Sequence, residues 1–224
     1  SLRASATLNL ALGLVFALAL VPLRRSLKVL LSVVSATLAL VFWMGPVDWD
    51  AHRMSRGSYV YFNAGWPIER ILYHAEDVHG GLTTVIETHG ARVLLSNGKF
   101  QGNNSGEVGA QIRIALIPIL FTREFERALV IGLGTGNTLR TVSRFPFRQL
   151  DAVEIAPHIV EAARRHFADV NGHVFDRDPR VRMTIADGRN FLLLSRDPYD
   201  LITIEISSIW ISGEADLYNR EFYE

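Results

Sequence analysis

Ala128-Leu-Val-Ile-Gly-Leu-Gly-Thr-Gly136 and, further along, Asp151-Ala-Val-Glu154 decide the fold of this chain. A short apolar run ends in the alternating glycines Gly132, Gly134 and Gly136. A helical segment follows, and a second apolar run ends in Glu154. Strand, glycine turn, helix, strand, acid is the order in which a doubly wound α/β domain holds an adenosine-containing cofactor. Glycines remove side chains where the backbone turns sharply and approaches a ligand. Glu154 falls about 20 residues past the turn, where a carboxylate can accept from both ribose hydroxyls. A Gly-x-Gly-x-Gly turn by itself also fits an ordinary βα connection, and the acid ending the next strand separates the two readings. The spacing differs from Gly-x-Gly-x-x-Gly. It leans toward S-adenosylmethionine-type ligands, which bring no pyrophosphate to a helix N-terminus, and away from nicotinamide.

Working outward, apolar and helical segments alternate. The pattern predicts strands at Arg127 to Ile131, Gln149 to Glu154, Val181 to Ile185 and Leu201 to Glu205. It predicts helices at Glu107 to Leu120, Thr138 to Arg144, Pro157 to Val170 and Gly188 to Ser195. Pro157 suits a first helical turn, where its missing N–H has no partner to lose. Alternation of this kind implies a parallel sheet covered on both faces, a Rossmann-like methyltransferase-type domain. Gly132, Glu154, Asp187 and Glu205 all fall at carboxyl ends of strands, where such sheets bind ligands. Sheets of this type usually carry further strands, so a truncated sheet with a bare last edge is expected.

Upstream, Ser58 to Phe62, Arg70 to Ala75, Leu82 to Thr88 and Ala91 to Leu95 read as strands. Gly80-Gly81 and His89-Gly90 supply hairpin turns. The organisation expected is a transmembrane hairpin over 1–45, a linker over 46–57, a small antiparallel β domain over 58–106 and a nucleoside-binding domain over 107–224.

Acidic and basic residues balance at 23 each, and no basic run is longer than a short group such as Arg24-Arg25 with Lys28, so no nucleic-acid surface is expected. Cysteine is absent, which excludes disulfides and thiolate metal sites. The seven histidines form no ligand-spaced pair, and no metal is expected. Ala6 to Leu23 and Leu27 to Met44 are almost free of charge, each about 18 residues, near the minimum for a bilayer core of roughly 30 Å. Trp43 and Trp49 stand where interfacial aromatics would. Two spans of a longer membrane region are therefore expected, with the lipid bilayer as partner. The positive-inside rule would put Arg24, Arg25 and Lys28 inside and the α/β domain outside. The need for a cytosolic cofactor argues the other way. The expected location is a bacterial inner membrane with the catalytic domain in the cytosol.

From about Ile71 onward the chain resembles the spermidine/spermine synthase family, the polyamine aminopropyltransferases, most of all its membrane-fused bacterial members. Leu94-Leu-Ser-Asn-Gly-Lys-Phe-Gln101 resembles the family's Leu-x-x-Asp-Gly-x-x-Gln segment. Glu107-Val-Gly-Ala-Gln111 through Pro118 resembles its Glu-x-x-Tyr-Gln helix. Val130 to Gly136 resembles its glycine loop, and Val153-Glu154 its ribose-binding pair. Asp178-Pro-Arg-Val181 through Asp187-Gly188, then Tyr199-Asp200 through Glu205-Ile-Ser-Ser208, resemble the segments that follow, and Leu217 through Glu221-Phe-Tyr223 the next helix.

The resemblance implies a catalytic role for Glu205. It implies donor binding by Gln101, Gly132, Gly134, Thr135, Gly136, Glu154, Asp187 and Gly188, and substrate contacts from Gln111 and Ser208. The donor implied is decarboxylated S-adenosylmethionine and the acceptor a polyamine-type amine; a homodimer is a further expectation. Thr135 stands where the family has an acid that meets the donor's ammonium and repels a carboxylate. Glu205 and Ser208 replace paired aspartates, and Ala110 a tyrosine. These departures keep two alternatives in view. One is an enzyme using S-adenosylmethionine itself, such as a methyltransferase; the other is a non-catalytic nucleoside sensor attached to a membrane transporter.

Overall fold

The structure is a computed structural model that describes residues 2–20, 24–44, 50–78, 81–205 and 215–223. It divides into two compact units, Ser1–Asp50 and Ala51–Glu224. In the first, α1 (Leu2–Leu20) and α2 (Arg25–Met44) pack on each other. Among the described residues no helix is long and apolar enough to cross a membrane, so the expected transmembrane hairpin finds no support here. Arg25 and Lys28 stand in the first turn of α2. Residues 21–23, between the helices, and Trp49 lie outside the described residues.

The second unit opens with two short helices, α3 (Ala51–Ser55) and α4 (Ser58–Tyr61). Four antiparallel strands follow in sequential order: β1 (Arg70–Asp77), β2 (Gly81–Thr88), β3 (Ala91–Ser96) and β4 (Lys99–Asn103). Ser58–Phe62 is thus a helical turn and not the strand that its aromatic and β-branched residues suggest. Val60 and Tyr61 donate their amides back to the carbonyl of Gly57, and Phe62, at φ 53°, ends the turn. A five-residue window is too short for periodicity to tell the two apart. His89-Gly90 and Asn97-Gly98 both turn at positive φ, the hairpin geometry that matches strand twist. His79 and Gly80, at the predicted β1–β2 turn, lie outside the described residues. Asn97 replaces an aspartate of the family pattern yet keeps an acceptor there, since its Oδ1 takes the Leu82 amide at 2.9 Å.

Helix α5 (Val108–Ile119) leads into the α/β layer. Its strands are β5 (Arg127–Ile131), β6 (Gln149–Glu154), β7 (Val181–Ile185) and β8 (Leu201–Ile204), in the order β7-β6-β5-β8, all parallel. Around them lie α6 (Asn137–Ser143), α7 (Pro157–His166), α8 (Ala168–Asn171), α9 (Val174–Arg177) and α10 (Gly188–Leu193), then a 3₁₀ turn at Ala215–Leu217 and α11 (Arg220–Tyr223). β5 is buried from Ala128 to Ile131, as a strand covered on both faces must be. One face of the antiparallel sheet joins the same core: Val85 and Leu94 pack with Leu139, Leu150 and Ala163. The other face carries Ile86, Val93 and Leu95 under Trp66 and Phe100. The chain steps outward from β5 to β6 and β7, then returns to the far side of β5 as β8. That reversal opens a crevice past the carboxyl end of β5, where sheets of this kind place ligands.

Candidate functional site

The glycine loop leaves β5 with Gly132, Gly134 and Gly136 at φ 84°, 51° and 84°. Two things hold it. Glu154 at the end of β6 reaches across: one carboxylate oxygen accepts the Leu133 amide at 2.9 Å and the other the Ala156 amide at 3.0 Å. Asn171 of α8 donates from Nδ2 to the carbonyl oxygens of Thr135 and Ala163, both at 2.9 Å. Glu154 is only 6% exposed. Burial pushes its carboxyl above the ordinary carboxylate range, the amides of Leu133, Ala156 and Ile155 oppose that, and the Asp77 carboxylate adds to it. Each oxygen has spare lone pairs beyond the amide it accepts, so the carboxylate can also take hydroxyl donors.

Glu205 follows β8, and its amide bonds to the Ile131 carbonyl at 2.9 Å, which ties its position to the end of β5. Its carboxylate lies under the glycine loop. A Cβ added to Gly134 would come within 3.3 Å of a Glu205 carboxylate oxygen and 3.2 Å of the Gln101 carbonyl oxygen. With Gly134 also at positive φ, only glycine lets loop, β4 and Glu205 meet there. Both Glu205 carboxylate oxygens are sealed from solvent and lack a properly placed hydrogen-bond donor. Burial drives this carboxyl well above its ordinary value, and the nearby Glu154 charge raises it further. The Thr138 hydroxyl and Gln111 amide are near enough to oppose the rise but do not complete a hydrogen bond. An acid left without donors in a dry site is costly unless protonated or matched by a cation.

Gln111, on α5, is buried, and the Thr135 hydroxyl donates to its side-chain oxygen at 2.9 Å. That contact uses the side-chain carbonyl and leaves the amide nitrogen facing the site; a Cβ on Gly102 would meet it at 2.6 Å. Thr138 donates to the Gln111 main-chain carbonyl at 3.3 Å. Asp187 stands past β7 on the same edge. It is exposed and caps α10, its Oδ1 accepting the Asn190 amide at 2.8 Å. Ser208, together with Ile209, Trp210 and Ile211, lies outside the described residues.

The structure thus gathers Gly132, Gly134, Thr135, Gly136, Gln111, Glu154, Glu205 and the Gln101 backbone around the carboxyl ends of β5, β6 and β8, with Asp187 and Gly188 past the end of β7. Three residues joined to it give no signal in sequence. Thr138 and Asn171 position the loop and the acid through tertiary bonds. Asp77, closing β1, acts electrostatically on Glu154 from the antiparallel sheet. Gly188 is held tightly, since a Cβ there would sit 2.4 Å from the Ile131 Cγ2. Gly188→Ala should therefore push α10 and Asp187 off the rim at a cost of about 1–3 kcal/mol. Urea denaturation would register that loss, and unchanged stability would mean the rim is not packed this way.

A sheet of four parallel strands flanked by helices, with a glycine loop after its central β5, is a Rossmann-like fold of the methyltransferase type. Residues 107–224, more than half of the chain, match the family described as Spermine/spermidine synthase domain, and the chain belongs to that family. It is 29% identical over 164 residues to a protein named polyamine aminopropyltransferase from Pectobacterium atrosepticum (73% of this chain, 56% of the relative). It is 30% identical over 167 residues to one of the same name from Sodalis glossinidius (73% and 57%). Among solved structures, spermidine synthase from Thermotoga maritima superposes with a TM-score of 0.60 at 25% identity, covering 70% of this chain and 52% of that one. A spermidine synthase in complex with the transition state analogue AdoDATO shares the fold at TM-score 0.63 and 23% identity, covering 70% and 53%. The chain spans a little over half the length of the curated relatives it matches.

Proposed function

We propose that this chain forms the donor-binding part of an aminopropyltransferase. The donor is decarboxylated S-adenosylmethionine and the acceptor a polyamine-type amine. One observation carries the reading: the buried, donor-less carboxylate of Glu205 beside that of Glu154, at the carboxyl edge of the sheet. Among the described residues neither carboxylate has a cationic partner shaping its titration, so the site favours a ligand that brings positive charge. A sulfonium nucleoside does so. Family membership and the relatives named polyamine aminopropyltransferase support the same donor.

In this reading Glu154 takes the ribose hydroxyls, Asp187 the adenine amino group, and Gln101 and Gln111 line the cleft. An acceptor nitrogen attacks the aminopropyl carbon in line. The N–C bond forms as the C–S bond breaks, the electron pair goes to sulfur, and a neutral thioether nucleoside leaves. The new ammonium gives its proton to Glu205. Orienting nitrogen, carbon and sulfur can lower the barrier by several kcal/mol. Ser208 is assigned to the acceptor side.

Incubation of the full protein with decarboxylated S-adenosylmethionine and putrescine, followed by product analysis, tests this. Spermidine and 5′-methylthioadenosine are the expected products. A methylated amine formed only from S-adenosylmethionine would replace the reading with the methyltransferase one.

We also place the chain at a bacterial inner membrane, with the α/β domain in the cytosol. Leu8, Leu10, Phe16, Leu38 and Val41 of α1 and α2 are all more than half exposed, and such side chains favour a lipid environment. Membrane fractionation of cells expressing the full protein checks it; recovery in the soluble fraction alone rejects it.

A further inference from the structure

We propose that Glu205 is protonated in the empty site and gives that proton to solvent when a cationic nucleoside binds, so that the donor itself arms the base. The inference rests on the proposed function and adds an order of events to it. Its ground is geometric. The Glu205 carboxyl lies under the Gly134 backbone, closed from water, with neither oxygen hydrogen-bonded.

Among the described residues, the groups facing it come from several elements. Gln111 from α5 and Thr138 from α6 are neutral, the loop and Gln101 contribute backbone, and Glu154 from β6 is a second acid. Among the described residues none of these supplies positive charge. Two carboxylates close together in a dry site do not both ionise, and one holds a proton. Glu154 already accepts two amides, which favours its charged form. Glu205 accepts no amide and has only the neutral Thr138 and Gln111 side chains nearby, neither completing a hydrogen bond, so the proton belongs on it. The direction in which burial and Glu154 displace the Glu205 carboxyl agrees.

Arrival of a sulfonium changes the balance. A fixed positive charge over the carboxyl favours carboxylate, and the step conserves charge: the acid plus the cation give the ion pair plus one proton released to water. The base that receives the acceptor's proton therefore exists only once the donor is seated. An amine arriving first meets a neutral carboxyl and is not activated. A neutral thioether nucleoside, the leaving group of the proposed reaction, brings no charge and leaves the proton in place. Loss of the donor's charge during transfer lets Glu205 keep the proton that it has just taken from the amine.

Calorimetric titration of the full protein in two buffers of different ionisation heat, at one pH, measures the proton directly. Decarboxylated S-adenosylmethionine should release about one proton per site, and 5′-methylthioadenosine none. Sulfonium affinity should tighten by about tenfold per pH unit while Glu205 remains protonated in the empty site, and thioether affinity should stay flat. In Glu205→Gln the release should vanish, with thioether binding retained. If both ligands bind without any buffer dependence, or if the Gln variant releases the same proton, the coupling is overturned and the binding reading stands. If neither ligand binds a protein shown to be folded by circular dichroism, both fall together.

Discussion

Replacing Glu154 with glutamine or alanine should reduce nucleoside affinity by about 100-fold or more, the larger of the two binding effects the site predicts. Two charge-assisted bonds to ribose hydroxyls contribute about 1.5–3 kcal/mol each. Losing both corresponds to roughly two to four orders of magnitude in affinity. The carboxylate has a second task, because its two oxygens also hold the Leu133 and Ala156 amides. The two variants separate those tasks. Alanine leaves both amides without their partner and should lower the thermal midpoint as well as affinity. Glutamine keeps one carbonyl acceptor for the loop but loses the charge and half of the acceptor capacity. It should keep most of the stability while affinity still collapses. Isothermal titration with 5′-methylthioadenosine, run beside thermal denaturation, distinguishes them. A folded Glu154→Ala protein that binds within about threefold of wild type would remove Glu154 from the ribose and leave it a structural role alone.

The parallel layer was legible because its signals are local. β5, β6 and β7 are short apolar runs, and their bounds agree with the pattern read from sequence. Pro157 marks the start of α7, and Asp187 caps α10 from the position its residue type suggests. The antiparallel sheet was harder. Asn97-Gly98 is a hairpin signal inside a stretch that also matches a family motif, and the five residues of β4 after it carry no apolar alternation of their own. Ser58–Tyr61 goes the other way: its residues suit a strand, but no residue of it is buried and the Gly57 carbonyl takes the Val60 and Tyr61 amides, which makes it a helical turn. The site was legible where an acid or glycine closes a strand: Gly132, Glu154 and Glu205 qualify on that ground alone. Asn171 and Thr138 were not, since one is 36 residues from the carbonyl it holds and the other acts through Gln111, 27 residues away. No local pattern encodes such pairings. Asn97 shows the converse. It departs from the family residue yet preserves the acceptor that the Leu82 amide needs, so the mismatch there costs no hydrogen bond.

Glu205→Gln should lower kcat by about 10²–10⁴-fold, the usual contribution of a positioned general base, while affinity for the neutral thioether nucleoside stays within about twofold. Glutamine matches the shape of a protonated glutamic acid and can still face Thr138 and Gln111, so the site keeps its packing and loses only the proton acceptor. The same substitution carries a stability signature that a purely structural residue would not. The folded protein binds a proton on Glu205 that the unfolded chain gives up above about pH 4.3. The contribution of this group is therefore fully present below that pH and is lost as pH rises through the raised folded value. Wild type should become steadily less stable across this interval, whereas the Gln variant should lose part of that slope and melt higher than wild type at the alkaline end. Thermal midpoints collected from pH 5 to pH 9 on both proteins test the prediction. Parallel curves would show that Glu205 is ionised throughout. The acid would then be an ordinary anion at the sheet edge, and transfer of the acceptor's proton would have to be assigned to another group.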